Sequence, residues 1–316
     1  MMMQLILRRI AIGFATLIVV SIIVFLLTGV LPGDVAQIIL GQSATPETLA
    51  ALRAKLGMDL PGYIRYFNWL GNMASGDLGI AKAGGATISS LIGARIGNTM
   101  MVAGIVALIS IPISIVLGLW AAMHPGTWLD RIVTFGTLSL ISVPEFFIGV
   151  VMILILAVNL DWLPATAYLS NDASFYDLIR ALAMPVIALV IVVSAQMIRM
   201  TRAGILNVMN SPYIEMAILK GVPRRRIILR HAFFNAIGPI VNVIALNLAY
   251  LVSGVVIVET IFAYPGLAKL MIDGVQTRDL PLVQACAMIF CGTYVILILM
   301  ADIASILSNP RLRQPK

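Results

Sequence analysis

The sequence predicts an all-α, polytopic membrane protein with six transmembrane helices, and three observations carry that prediction. Of the 316 residues, 60% are hydrophobic and 11% charged, where a soluble domain carries about 25% charged residues. Mean hydropathy is +1.02. Six charge-poor stretches match the roughly 20 apolar residues a helix needs to cross a bilayer. Length alone would allow about two soluble domains, but those stretches exclude that class. The chain reads as one transmembrane domain over residues 1–316.

The first span, Ile10 to Leu31, follows Arg8 and Arg9. It is too long for the core of a signal peptide and lacks a small-residue cleavage pattern, so it is expected to be retained. The region 32–97 then holds a short helix, with Thr45 as N-cap, Pro46 at the first helical position, Glu47 beside the positive end of the dipole and Gly57 as terminator. Tyr63, Tyr66, Phe67 and Trp69 follow, grouped as aromatics group at a membrane interface.

The second span is Thr99 to Met123, and the third is Ile132 to Val158, read as one helix with Glu145 after Pro144 near its middle. The fourth, Ala183 to Ile205, places Pro185 in its first turn, where proline is tolerated. The loop 206–237, the fifth span Gly238 to Val258, the loop 259–281 and the sixth span Leu282 to Ile306 complete the chain. Cys286 and Cys291 lie in the sixth span, five apart and on different sides of a helix, which suggests neither a disulfide nor a metal site.

Charge sets the expected orientation, because cytoplasmic loops hold the excess of Lys and Arg. With the N-terminus inside, 13 of the 21 basic residues fall on the inner side, among them Arg8, Arg9, Arg131, Arg199, Arg202, Lys220, Arg230 and Arg311, against Asp130 and Glu215. The outer segments hold ten of the 14 acidic residues. Both termini are therefore expected to be cytoplasmic. The net charge of +7 is a topology signal and gives no reason to expect nucleic acid as a partner.

The loop 206–237 carries the sharpest local pattern. Ser211 can cap, Pro212 suits the first helical position, Glu215 lies near the N-terminal end, Lys220 near the C-terminal end, and Gly221 terminates. At roughly 1.5 Å per residue such a helix is too short to span and should lie along the inner membrane surface. Pro223 breaks the chain, and Arg224, Arg225 and Arg226 open a second basic helical stretch running towards Pro239. One reading is a basic loop resting on anionic membrane lipid. The other is a rigid helix presented to a soluble partner, with Ala217 and Gly221 four apart on one face, so that another backbone can come close.

Tyr213-Ile214-Glu215-Met216-Ala217-Ile218-Leu219-Lys220-Gly221 resembles the EAA motif of permeases of ATP-binding-cassette (ABC) importers, and His231-Ala232-Phe233-Phe234-Asn235-Ala236 with Pro239 resembles the extension typical of the peptide and nickel branch. Leu7-Arg8-Arg9, Pro32-Gly33-Asp34, Gly76-Asp77-Leu78-Gly79, Glu259-Thr260-Ile261-Phe262, Pro265-Gly266-Leu267, Arg278-Asp279-Leu280-Pro281 and Asn309-Pro310-Arg311 resemble that branch in order and spacing. Essentially the whole chain is covered. Met216 departs from the alanine of the general motif, and the stretch from Gly221 to Pro239 is longer than in sugar-importer permeases.

The resemblance implies an ABC importer type I permease fold in a bacterial inner membrane, paired with a homologous second permease, two cytoplasmic ATP-binding subunits and an external substrate-binding protein. ATP and magnesium would be bound by the ATPase subunits, and no cofactor is expected in this chain. Glu215, Ala217 and Gly221 would form the docking core of a coupling helix, flanked by Arg224 and Arg225. Peptides are the cargo the resemblance implies first, with nickel chelates, opines or oligosaccharides as alternatives. Glu145, an acid within a span, either lines the pathway and meets a substrate ammonium group or pairs inside the bundle. Asp302 is expected to pair with a neighbour or reach the interface. Glu259, Arg278 and Asp279 frame the last outer loop, which is either a gate or binding-protein docking surface or an ordinary connection.

Other classes fit less well. There is no His-Glu-x-x-His zinc motif, no Gly-x-Ser-x-Gly elbow and no Gly-x-x-x-x-Gly-Lys-Ser/Thr phosphate loop, so neither a membrane enzyme nor ATP hydrolysis within this chain is expected. An ATP-independent secondary transporter is the remaining rival. Such carriers often show inverted repeats and helices broken at mid-membrane, and the sequence displays neither clearly.

Overall fold

The computed structural model describes residues 2–30, 44–55, 59–82, 84–168 and 173–308. Five of its helices are long and apolar enough to cross a membrane by themselves, and a bent pair supplies a sixth span. In chain order they are α1 (Met2–Val30), the short α2 (Pro46–Lys55) and α3 (Gly62–Ala74), and the long α4 (Ile88–Met123). The bent pair follows as α5 (Trp128–Ser142) and α6 (Glu145–Met152), the latter prolonged by a π-helical segment Ile153–Asn159. Next come α7 (Phe175–Met209), the short α8 (Pro212–Leu219), α9 (Phe233–Ile261), α10 (Leu267–Gln276) and α11 (Leu280–Ser308). Pro32-Gly33-Asp34, Gly57 and Asn309-Pro310-Arg311 lie outside the described residues.

Three expectations about the spans are corrected. The third is not one helix: α5 and α6 meet at 97°. Val143 between them is extended, with φ −90° and ψ 129°, because the ring of Pro144 clashes with an α-helical residue before it. The fourth span starts about three turns before Pro185. Ser174 and Asp177 form a reciprocal capping box, with the serine hydroxyl accepting from the Asp177 N–H at 3.2 Å and the carboxylate accepting from the Ser174 N–H at 3.1 Å. Pro185 therefore lies inside α7. The fifth span does not start at Gly238, because the basic helical stretch that runs towards Pro239 is continuous with it. Arg224–Arg226 passes through a π-helical turn, Ile227–Ala232, directly into α9, with Pro239 inside it.

The core runs along α4, α7 and α9, where Val102, Val106, Leu189, Met197, Leu251 and Val255 are buried together. The axes of α4 and α7 come close because Gly118 has no side chain: a Cβ there would stand 2.8 Å from Thr201 Cβ and 3.1 Å from the Ile198 carbonyl. Small residues serve this purpose between apolar helices, where close packing replaces the hydrophobic drive available in water. A second cluster, with Ile205, Ile214, Ile227, Ile228 and Ala236, joins the end of α7 to α8 and the start of α9.

The first helix packs on α11 and is otherwise largely uncovered. The Gln284 amide donates to the Thr28 hydroxyl at 2.6 Å. Arg9 pairs with Asp302 at 3.1 Å, so the acid of the last span has a partner on α1. Helix α2 begins as its sequence requires: the Thr45 hydroxyl accepts from the Thr48 N–H at 3.2 Å, and Glu47 sits in the first turn. The aromatic group on α3 closes over Phe25 of α1, with Tyr66 edge-on at a centroid distance of 5.5 Å and Trp69 tilted at 5.8 Å. The Tyr66 and Ser21 hydroxyls lie 2.8 Å apart.

Candidate functional site

Helix α8 is fixed on one side and open on the other. Ile214 is 0% exposed and Ala217 packs against the same cluster. The small residue of the EAA-like motif thus lets α8 sit close to its own chain. The opposite side shows Tyr213, Met216, Ile218 and Leu219, the last 78% exposed, together with the exposed Glu215. The start differs from expectation in one atom. Ser211 stands at the N-cap, but its hydroxyl makes no cap hydrogen bond and donates instead to the Val208 carbonyl at the end of α7. Pro212 occupies the first turn as expected.

The end of α8 depends on backbone chirality. Gly221 has φ +70°, a left-handed conformation that glycine adopts without penalty. In it the Gly221 N–H reaches the Ile218 carbonyl at 2.9 Å, and Val222 N–H reaches Ala217 at 3.1 Å. These bonds occupy carbonyls that a helix end otherwise leaves unpaired. The turn is followed by Pro223, which stands at the N-cap of the exposed helical turn Arg224–Arg226.

The loop between α9 and α11 is organised by two buried carboxylates. Glu259 is 1% exposed and accepts three hydrogen bonds: from the Thr99 hydroxyl at 2.6 Å, the Ala268 N–H at 2.8 Å and the Lys269 N–H at 3.1 Å. The last two come from the first turn of α10, whose dipole favours a negative charge there. Asp279, 0% exposed, accepts from the Lys82 N–H at 2.5 Å and from Leu282 in the first turn of α11 at 3.3 Å. Glu259 and Asp279 therefore lie behind the surface of this loop, because a buried carboxylate needs several donors and finds them only inside it. Arg278 alone of the three is exposed, with φ +54°.

Lys82 is half-buried beside this loop, and burial lowers its ammonium pKa below the usual lysine value, against the opposing pull of Asp279. The Tyr264 hydroxyl donates to the Asn98 carbonyl at 3.2 Å, and burial, with Glu259 nearby, pushes its pKa up to about 12.

The break between α5 and α6 opens a cavity of about 650 Å³ against α7 and α9, lined by Glu145, Gln196, Asn247 and Tyr250 among apolar residues. Both carboxylate oxygens of Glu145 are shielded from solvent, and neither accepts a hydrogen bond of good geometry from the protein. The Tyr250 hydroxyl is its immediate polar neighbour. One turn along α9, Gly254 makes room for the carboxylate: a Cβ there would stand 3.1 Å from Glu145 Oε2.

Two profiles of known families cover nearly the whole chain. The binding-protein-dependent transport system inner membrane component matches residues 114–314, and the N-terminal part of such membrane components matches residues 2–117. The chain belongs to this family of binding-protein-dependent transport permeases. A Brucella melitensis protein named as a peptide transport system permease is 35% identical over 99% of each chain. The oligopeptide transport system permease protein AppB of Bacillus subtilis is 31% identical over 97% of this chain and 98% of its own. The glutathione transport system permease protein GsiC of Escherichia coli is 30% identical over 99% of each. This permease is thus a multi-pass membrane component of a transport system with other subunits.

Residues that the sequence did not single out hold the permease together around these places. Arg202 of α7 grips Asp130 of α5 with both nitrogens of its fork, at 2.6 and 2.9 Å, and Asp130 also accepts from the Gly126 N–H at 2.9 Å. In the sequence both appear only as loop-flanking charges. Thr99 was a span boundary, yet its oxygen also accepts from the Leu267 N–H at 2.8 Å. Neither role has a local signal, since the partners are 72 and more than 150 residues away.

Proposed function

We propose that this permease forms half of the translocation pathway of an ATP-driven importer of short peptides in a bacterial inner membrane, with both termini cytoplasmic. A homologous second permease would complete the pathway, two cytoplasmic subunits would bind and hydrolyse ATP with magnesium, and an external binding protein would deliver the peptide. The names of the relatives support peptides as cargo, and the family description supports the binding protein.

The observation that carries the coupling role is the two-sidedness of α8. Ile214 and Ala217 anchor it to the permease, while Tyr213, Met216, Ile218 and Leu219 present an apolar surface, edged by Glu215 and by Arg224 and Arg225. Apolar area left uncovered beside charged groups is the pattern of a protein contact. Because α8 and the entry turn of α9 share one buried cluster, a push on α8 is delivered to a spanning helix. In this reading Glu215 and Gly221 belong to the docking surface, and Ala217 sets how closely α8 is held.

The test is purification of the tagged chain from its native membrane in mild detergent, with identification of every co-purifying polypeptide and an ATPase assay. Recovery of a second permease and ATP-hydrolysing subunits is expected. Recovery of this chain alone, still moving solute after reconstitution without ATP, overturns the proposal in favour of a secondary carrier.

A further inference from the structure

We propose that the cavity at the break between α5 and α6 receives the positively charged amino terminus of a peptide in transit, with Glu145 as the group that meets it. The inference rests on the peptide reading above and adds a place within the chain where the peptide is recognised.

The cavity, of about 650 Å³, has the volume of a small-molecule site. It stands at the interruption of a span, where helices α7 and α9 form the facing walls. None of its lining residues is basic. Glu145 nevertheless holds its carboxylate there, with both oxygens buried and only the neighbouring Tyr250 hydroxyl, outside good hydrogen-bond geometry, as a protein donor. Buried polar groups without partners are rare, and a buried carboxylate is the costliest kind to leave so. The other acids buried within the fold show the contrast. Asp130 has Arg202, Glu259 has three donors, and Asp279 has two backbone N–H groups.

What Glu145 lacks is a cation, and the remaining polar groups of the cavity suit one. Tyr250 brings its hydroxyl beside Glu145, a further oxygen that can accept from an ammonium group. The Asn247 amide nitrogen donates to the Val243 carbonyl at 2.8 Å, and its amide oxygen can accept from a ligand. Gln196 supplies a further amide. A primary ammonium group, with three donors and no acceptor, matches this acceptor-bearing set. The apolar lining around it accommodates the first side chain of a peptide without demanding its identity, as a route for varied sequences requires.

The experiment measures equilibrium binding of tri-alanine and of N-acetyl-tri-alanine to the complete importer in lipid nanodiscs, without the external binding protein, so that only membrane-embedded selectivity is read. Wild type is expected to bind the free amine about ten-fold more tightly, equivalent to about 1.4 kcal/mol. Glu145→Gln should bind the two peptides equally, with affinity for the acetylated peptide unchanged, which also shows that the variant is folded. Glu145→Asp should keep part of the preference. A preference that survives Glu145→Gln, or wild type with no preference at all, overturns the inference while leaving the peptide reading intact. If the wild-type importer with its binding protein takes up neither peptide under ATP, the peptide reading falls and this inference with it.

Discussion

Glu259, at the end of α9, receives the Thr99 hydroxyl of α4 at 2.6 Å, and the same Thr99 oxygen accepts the N–H of Leu267 at the start of α10. One carboxylate and one hydroxyl thus tie two spanning helices to the helix that crosses between α9 and α11. Because α10 hangs on these groups, its position reports any relative movement of α4 and α9.

Replacing Glu259 by alanine strands the Thr99 hydroxyl and the N–H groups of Ala268 and Lys269 in the interior. Hydrogen bonds to a charged group contribute about 1.5–3 kcal/mol each, and stranded buried partners add to the loss. A destabilisation of about 3 kcal/mol is expected in thermal unfolding of the purified protein. Gly266→Ala should behave similarly for a separate reason: a Cβ at Gly266 would collide with the Glu259 carboxylate. If both variants unfold with the wild type, the carboxylate does not hold α10.

The spans were legible because apolar length is a local property of sequence, and so were the start and stop of α8, where Pro212 and Gly221 make demands on their own backbone. The 97° break at Ser142–Glu145 was not legible from hydropathy, since Val143 and Pro144 are apolar enough to leave the average of the third span unchanged. Pro144 itself held the signal, and reading it as a helix interior residue hid it. The early starts of α7 and of the helical run into α9 were missed because Asp177 and Arg180, in the first two turns of α7, and Arg230 and His231, in the π-helical turn before α9, read as loop. The partners of Glu259, Asp279 and Asp130 are tertiary facts. A carboxylate in a loop looks the same in sequence whether it faces water or three buried donors.

Gly221 tests whether α8 must end where it does. A residue with a Cβ at φ +70° is strained by roughly 1–2 kcal/mol, less for asparagine, which tolerates the left-handed region. The space around a Cβ there is open, so conformation and not crowding decides. Gly221→Asn should therefore retain most peptide uptake and Gly221→Val should lose more, whereas Gly221→Asp and Gly221→Trp place a charge or a bulky ring on the proposed docking surface and should for that reason lose both uptake and ATPase association in co-purification. Full retention by the last two removes Gly221 from the docking surface.

Tyr264 gives a pH signature outside the spans. Its pKa is raised from 10.0 to about 12, so in the folded protein the phenol keeps its proton where the unfolded chain would release it. Stability rises with pH wherever the unfolded state binds more protons; here it binds fewer, so stability falls as pH climbs from 10 towards 12. Tyr264→Phe lacks this slope. The stability difference between wild type and Tyr264→Phe should stay constant below pH 9 and shrink above pH 10, measured by chemical denaturation at a series of pH values. A constant difference to pH 11.5 would show that the phenol titrates normally.

The Arg202–Asp130 pair joins the first half of the broken span to α7, so it anchors one arm of the bend. Breaking a buried pair by removing one partner costs about 3–5 kcal/mol, and because Arg202 is partly exposed, a loss of about 2 kcal/mol is the expectation for Asp130→Asn. Arg202→Gln should cost the same or more, since Asp130 is the more deeply buried charge. The double variant should be less destabilised than the two single losses added together, because neither charge then remains unpaired. Thermal unfolding of the three variants in one detergent decides the matter. Strict additivity would mean that the two side chains do not interact, and that α5 is held to α7 by apolar packing alone.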